Sequence, residues 1–205
     1  LEFFFNNIGK NIKKGTLILF ETTVPIGTCE NIIIPTLTKQ LNKRQLNIKD
    51  IYFAYSYERV MPGKNYYDSI VNNYRCYSGI NKASKKKCKS FLKKFINYKK
   101  YPLKEFNTIM ECESAKILEN TFRAVNIALI DEWTKFANEF NLDLNNIIKA
   151  IKLRGTHSNL MSPGLGVGGY CLTKDPDFAN ISSKFFSNKT FRFPITNSSI
   201  KINKL

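Results

Sequence analysis

The run Ser162-Pro163-Gly164-Leu165-Gly166-Val167-Gly168-Gly169-Tyr170-Cys171-Leu172-Thr173-Lys174-Asp175 sets a thiol beside a cation and a carboxylate. The nucleophilic form of cysteine is the thiolate, which nearby positive charge or a helix N-terminus favours. Glycines allow backbone to pass close to a ligand. Spacing alone leaves two readings open for Cys171, a reactive thiol or a buried structural cysteine. His157 suggests a dyad with it, although a lone loop histidine is also an ordinary surface residue or ligand contact. Gly164, Gly166 and Gly169 formally satisfy the dinucleotide fingerprint, but that motif must leave a strand, and the preceding stretch 154–161 is polar and irregular.

The other four cysteines are weaker candidates. Glu111 and Glu113 flank Cys112 and disfavour its thiolate. Cys88 lies on an apolar stripe and is expected in a core, and Cys29 and Cys76 lack a supporting cluster. With no CxxC pair and one histidine, the five cysteines do not supply the close ligand spacing of a zinc site, so no metal is expected. Their odd number favours reduced thiols.

Two further pairs could do chemistry. Lys116 and Asn120 are one helical turn apart, so a cation and an amide can reach one oxygen, as a developing oxyanion requires. The same spacing also fits an ordinary solvated helix face. Glu58 and Arg59 follow a strand end, where α/β sheets place functional side chains.

These residues need elements to hold them. Strands are expected at Thr16–Phe20, Ile51–Ser56, Arg75–Ser78 and Phe106–Met110. A helix over Glu30–Leu41 is expected to kink near Pro35, and a lysine-rich helix follows the third strand. That alternation predicts parallel α/β layering. From Glu111 to about Phe140 there is no Gly or Pro. Leu118, Phe122, Val125, Leu129, Trp133, Phe136 and Phe140 form one helical seam, with Lys116, Asn120 and Arg123 nearly opposite. Asp143 caps a helix through Ile151. The chain thus changes from α/β to all-α near residue 110, giving two domains, 1–110 and 111–205.

Composition narrows the class. The chain has 205 residues, 43% apolar, with a net charge of +16. This apolar share excludes a wholly disordered or collagen-like chain. Ten lysines and no acid lie between Lys82 and Lys104, around an apolar stripe of Cys88, Phe91, Leu92, Phe95 and Ile96. They read as the solvated face of a helix, in a chain where Lys outnumbers Arg 26 to 6. No nucleic-acid partner is expected. No run is long and apolar enough to span a membrane and no signal peptide is visible, so a cytoplasmic location and no membrane partner are expected. Starting at Leu1 rather than Met, the chain reads as a fragment.

Four blocks in order, Glu21-Thr22-Thr23-Val24-Pro25-Ile26-Gly27-Thr28, Glu58-Arg59-Val60-Met61-Pro62-Gly63, Lys116 with Asn120, and Gly166 through Cys171 to Lys174-Asp175-Pro176, resemble the nucleotide-sugar 6-dehydrogenases. This is the UDP-glucose/GDP-mannose dehydrogenase family, and the resemblance covers nearly the whole chain. It implies the back half of a Rossmann-like NAD domain followed by a central helical domain through which members dimerise. It also implies oxidation of a sugar C6 alcohol to a carboxylate, with NAD as cofactor and a UDP-sugar as substrate. Cys171 would be the nucleophile, passing through a thiohemiacetal and a thioester. Lys116 and Asn120 would stabilise oxyanions, Glu58 and Thr23 would position or activate water, and Asp175 would orient Cys171 or the water. Thr23, Glu58 and Lys174 would lie at the cofactor. Glu58, Arg59, Lys116, Asn120, Arg154 and Gly168 would contact substrate.

The Glu-Arg-Val-x-Pro-Gly pattern resembles the branch acting on UDP-N-acetylhexosamines, which would lead to an aminouronic acid for surface polysaccharide; the epimer stays open. UDP-glucose is the alternative substrate. The family's first strand, glycine fingerprint, ribose-binding acid and C-terminal domain have no counterpart in these residues, so the fragment alone is expected to be inactive. A noncatalytic helical dimerisation module is the reading from another class.

Overall fold

A computed structural model describes residues 1–204. Strand β1, Leu17–Phe20, pairs in parallel with β2, Tyr52–Tyr55, and β3, Cys76–Gly79, pairs in parallel with β4, Lys104–Glu105. The central pair departs from the all-parallel expectation, because β2 and β3 are antiparallel, with Tyr55 opposite Ser78. The linking segment contains only a loop and the short helix α3, Tyr66–Val71, and does not cross back along the sheet. β3 therefore starts at the pole where β2 ends.

Alternation sorts the sheet's side chains between two covered faces. Phe53 and Tyr55 join Phe5, Phe20, Ile33, Leu37 and Cys112 in one core, whereas Ala54 joins Tyr77, Cys88, Leu92 and Ile96 in another. The first face is covered by helix α1, Glu2–Asn11, which sequence reasoning passed over, and by α2, Ile34–Lys43. The expected kink at Pro35 is instead a junction. A π-helical turn over Cys29–Ile33 passes into α2, with Pro35 in the first turn of α2.

The lysine-rich helix is α4, Lys82–Leu92, started by the Asn81 side chain, which accepts from the Ser84 N–H at 2.8 Å. Cys88 and Leu92 are buried on it as expected, whereas Phe91 is exposed. A strand over Phe106–Met110 does not form. Thr108 Oγ1 accepts from the Glu111 N–H at 3.1 Å and the Glu111 carboxylate accepts from Thr108 N–H at 3.2 Å, a capping box that starts α5 at Ile109.

The chain divides into two compact units, Leu1–Lys116 and Ile117–Leu205, with the division inside α5, Ile109–Glu139. In the second unit α6, Leu144–Lys152, carries the expected Asp143 cap, which accepts from Asn146 N–H at 3.0 Å. Ile130, Ala137, Leu144 and Ile148 form its core. Three more helices follow: α7, Tyr170–Lys174; α8, Phe178–Phe186; and α9, Pro194–Ile202. No helix among the described residues is long and apolar enough to cross a membrane.

Candidate functional site

In the first unit the candidate residues gather where β1 and β2 end. Thr23 is half-buried three residues beyond β1, and Glu58 is half-buried three residues beyond β2. The Glu58 carboxylate accepts from the Val60 N–H, which folds its side chain back onto its own turn. Lys116 Nζ donates to the Glu58 carbonyl at 3.3 Å and stands 5.6 Å from the centre of the Tyr57 ring. The Arg59 guanidinium lies 5.1 Å from the same ring centre. A buried aromatic face flanked by two cations is an electrostatically favourable arrangement.

Three residues that sequence reasoning did not place complete this pole. Arg75, 3% exposed, donates from one terminal nitrogen to Tyr57 O at 2.9 Å and from the other to the Glu21 carboxylate. Burial raises the Glu21 pKa and outweighs the lowering by Arg75, while the nearby Glu58 charge raises it further. Glu113 is fully buried, and its two carboxylate oxygens accept from Gly27 N–H at 2.6 Å and Cys29 N–H at 3.0 Å. An internal carboxyl group thus fills the helix N-terminus that follows β1, the kind of position that otherwise attracts phosphate. Burial raises the Glu113 pKa despite the hydrogen bonds from Cys29 and Gly27.

Of the two readings left open for Lys116 and Asn120, the solvated face does not fit. They are 8% and 3% exposed, so neither belongs to a solvated surface. The apolar seam has the opposite character. Leu118, Phe122, Leu129, Trp133, Phe136 and Phe140 are exposed in the single chain, while Ile117, Ala124, Ala128 and Ala137 occupy covered positions.

In the second unit Cys171 is exposed on the first turn of α7. Gly169 precedes that helix at φ +82°, in the left-handed region that favours glycine, and Gly166 is also there at φ +79°. Asp175 is fully buried and accepts from Asn120 Nδ2 at 2.7 Å and Lys174 Nζ at 2.5 Å. Lys174 is also close to two aromatic rings, 4.9 Å from the centre of Tyr170 and 4.7 Å from that of Phe178. Asn126, buried one and a half turns beyond Asn120, holds the incoming loop by donating to Asn159 O and accepting from Met161 N–H. No strand precedes the glycine run, in keeping with the rejection of a dinucleotide fingerprint there.

The remaining candidates are placed as follows. Arg154 and Gly168 are exposed. His157 is exposed and its Nδ1 is 3.0 Å from Thr156 Oγ1; among the described residues no hydrogen bond joins it to Cys171, so the dyad is not formed. Cys29, Cys88 and Cys112 are buried, and burial is the largest cause of their raised pKa values, with Cys88 pushed up to about 12. For Cys112 this replaces the flanking glutamates as the main reason for a protonated thiol. Among the described residues no three His, Cys, Asp or Glu side chains gather into a metal-ligating group.

Residues 2–96 match the NAD binding domain of the UDP-glucose/GDP-mannose dehydrogenase family, and residues 110–204 match its central domain. A UDP-N-acetyl-D-mannosamine dehydrogenase of Methanococcus aeolicus is 39% identical over 181 residues, which is 87% of this chain and 38% of that protein. A UDP-N-acetyl-D-glucosamine 6-dehydrogenase of Pseudomonas aeruginosa is 34% identical over 172 residues, 83% of this chain and 38% of that one. The solved UDP-D-ManNAc dehydrogenase of Pyrococcus horikoshii superposes with a TM-score of 0.79 at 30% identity, over 99% of this chain and 45% of that structure. The chain therefore spans less than half the length of these relatives.

Proposed function

This chain belongs to the UDP-glucose/GDP-mannose dehydrogenase family, and from that premise we propose that it takes part in NAD-dependent oxidation of the C6 alcohol of a UDP-N-acetylhexosamine to the uronate. The observation that carries the reading is the inward-facing pair on α5. Lys116 and Asn120 are buried, and Asn120 is hydrogen-bonded to a buried Asp175 four residues from an exposed thiol. Burying a lysine and an asparagine costs free energy unless they are hydrogen-bonded, and here Lys116 donates to the Glu58 carbonyl and Asn120 to Asp175. A cation and an amide one turn apart suit an alkoxide. The relatives named above as UDP-N-acetyl-D-mannosamine and UDP-N-acetyl-D-glucosamine dehydrogenases, with the Glu58–Gly63 pattern, favour an N-acetylhexosamine over glucose.

The residues present fit part of an NAD site. Thr23 and Glu58 stand beyond the carboxyl ends of two parallel strands, where dinucleotides lie. The helix start that follows β1 does not serve the pyrophosphate, because Glu113 fills it. Two molecules of NAD⁺, bound in turn, would each accept one of the two hydrides that the overall oxidation releases. Lys116 and Asn120 donate to the sugar oxygen as it gains negative charge. The Cys171 thiolate adds to the aldehyde carbon to give a thiohemiacetal, and loss of the second C6 hydride turns the carbon–sulfur adduct into a thioester. Water then attacks the thioester carbon, Glu58 takes its proton, and the bond to sulfur breaks to return the thiolate and release the carboxylate. Asp175 holds the Asn120 amide and the start of the segment after α7. Arg154, Arg59 and the backbone of Gly168 meet substrate, and Lys174 lies towards the cofactor. An aminouronic acid made in this way suits surface polysaccharide.

The test is direct. The complete polypeptide encoded by the gene, mixed with NAD⁺ and UDP-N-acetylmannosamine, UDP-N-acetylglucosamine or UDP-glucose, should give two NADH per sugar with one of the first two. NADH from none of them would overturn the reading. The exposed stripe from Leu118 to Phe140 supports a homodimer through α5, and light scattering of a Phe122→Asp, Phe136→Asp variant should then show monomers where the parent dimerises.

A further inference from the structure

Arg75 is buried where three strand ends meet. It directly precedes β3, and the antiparallel direction of β3 brings it to the pole where β1 and β2 finish. Its two terminal nitrogens go to different strands' continuations: one to Glu21, the residue after β1, and one to the carbonyl of Tyr57, two residues after β2. The next residues along these two segments are Thr22 and Thr23 on one side and Glu58 on the other. Tyr55 adds a weaker tie, donating from its hydroxyl to Thr22 O at 3.3 Å.

We infer that Arg75 is a positioning residue, whose planar fork sets the Glu21–Thr23 and Tyr57–Glu58 segments at a fixed distance from each other. The inference rests on the functional reading above, which gives Thr23 and Glu58 their work. A guanidinium presents two donors in one rigid plane, whereas an ammonium is a point charge on a flexible stem. Lysine at this position retains the charge without the two-strand bridge. The Glu21 carboxylate is the second half of the device: it balances the buried cation and is near Glu58, whose charge opposes its ionisation.

The experiment compares Arg75→Lys and Arg75→Met with the parent in the complete polypeptide. Turnover, amide hydrogen exchange and the Glu21 carboxyl titration by carbon NMR are read below the unfolding temperature of each protein. Arg75→Lys should lower kcat by about tenfold to a hundredfold with a smaller change in KM, as expected when a reacting group is displaced by a fraction of an ångström to an ångström. Exchange should quicken at residues 22–24 and 58–60 and stay at the parent rate in β1 to β3. Arg75→Met should also raise the Glu21 midpoint, since a charge that lowers it has gone, and Arg75→Lys should raise it less. A lysine variant with the parent kcat, or with exchange raised evenly through the sheet, would overturn the proposal and leave Arg75 as a structural ion pair. Should Arg75→Met fail to fold, the lysine variant decides the question. Should the parent produce no NADH, the functional reading fails, while exchange at the two segments still tells whether the fork fixes them.

Discussion

The two units carry their candidate residues in opposite ways. At the strand-end pole of the first unit, Glu21, Tyr57, Arg75 and Glu113 tie backbone segments together through buried charged hydrogen bonds, so Thr23, Glu58 and Lys116 stand on a fixed frame. In the second unit Cys171 is on an exposed five-residue helix approached through a glycine run, and Asp175 is its nearest buried anchor. Thr23, Glu58 and Lys116, to which the proposal gives oxygen binding and proton transfer, are held at the end of the first unit's sheet, whereas Cys171 is exposed. That contrast suits the tasks. Electrostatic stabilisation depends on donors that do not reorganise, while a nucleophile that forms and breaks a bond to carbon benefits from access.

The largest effect expected from this contrast falls on the thiol. On the proposed mechanism Cys171→Ala removes the atom that would carry the acyl group, so acid formation should fall below detection, with the aldehyde as the furthest product. Cys112→Ala deletes a buried, protonated thiol whose sulfur is 3.8 Å from Tyr55 O, and should act on stability instead of chemistry. Mass spectrometry and product analysis of both variants check this. Equal losses of acid would mean that exposure does not separate the reactive thiol from the structural ones.

Next comes Glu58. Glu58→Gln keeps the shape and removes the proposed base, for which a loss of about 10² to 10⁴ in the hydrolytic step is usual. Acyl-enzyme on Cys171 should accumulate behind a rapid NADH burst, visible by intact-mass measurement. If Glu58 instead accepts a proton in the first oxidation, the burst itself slows and the adduct stays scarce. Parent turnover without adduct would take the residue out of the mechanism and leave its frame without a task.

How far the sequence reveals this arrangement differs between the units. The runs that form β1, β2 and β3 are visible as β-favouring segments, but the direction of β3 depends on a connection, 56–75, that has no periodicity to read. The capping box at Thr108–Glu111, whose spacing the strand expected over Phe106–Met110 passed over, outweighs the β-favouring residues beside it. The spacing of Lys116 and Asn120 is plain; their inward orientation is not, because the bulky residues of α5 lie on its exposed side and its covered positions include Ala124, Ala128 and Ala137. Large side chains announce a seam, but they do not say whether the same chain covers it. Arg75 finds Glu21 54 residues away and Glu113 finds Gly27 86 residues away, pairings that no local pattern encodes.

A smaller effect should come from the single anchor near the thiol. Asp175→Ala leaves the Asn120 amide and the Lys174 ammonium without their carboxylate, and losing buried partners of this kind costs roughly 1–3 kcal/mol. At about 2–4 °C per kcal/mol for a chain of this size, the melting temperature should drop by several degrees. Asp175→Asn, which keeps an acceptor for Asn120, should lose less. Unchanged melting of the alanine variant would show that Cys171 is held by something other than this hydrogen bond, and the contrast between the units would need redrawing.

The smallest effect expected is pH-dependent and concerns Glu113. Both of its oxygens accept backbone hydrogen bonds, and glutamine offers only one acceptor, so Glu113→Gln should destabilise the first unit by about one buried hydrogen bond, roughly 1–2 kcal/mol. Because burial raises the carboxyl's pKa in the folded chain, the folded state holds this proton more tightly than the unfolded state. Its contribution is therefore fully present below the ordinary glutamate range and is lost as pH rises through the folded value. The glutamine variant has no such proton to lose. Urea unfolding of the two proteins between pH 5 and pH 8 should show the parent ahead by most at the acid end, with the gap narrowing as pH rises. A gap that widens with pH would mean that the two N–H donors outweigh burial and hold Glu113 ionised. The helix start after β1 would then be sealed by a permanent charge.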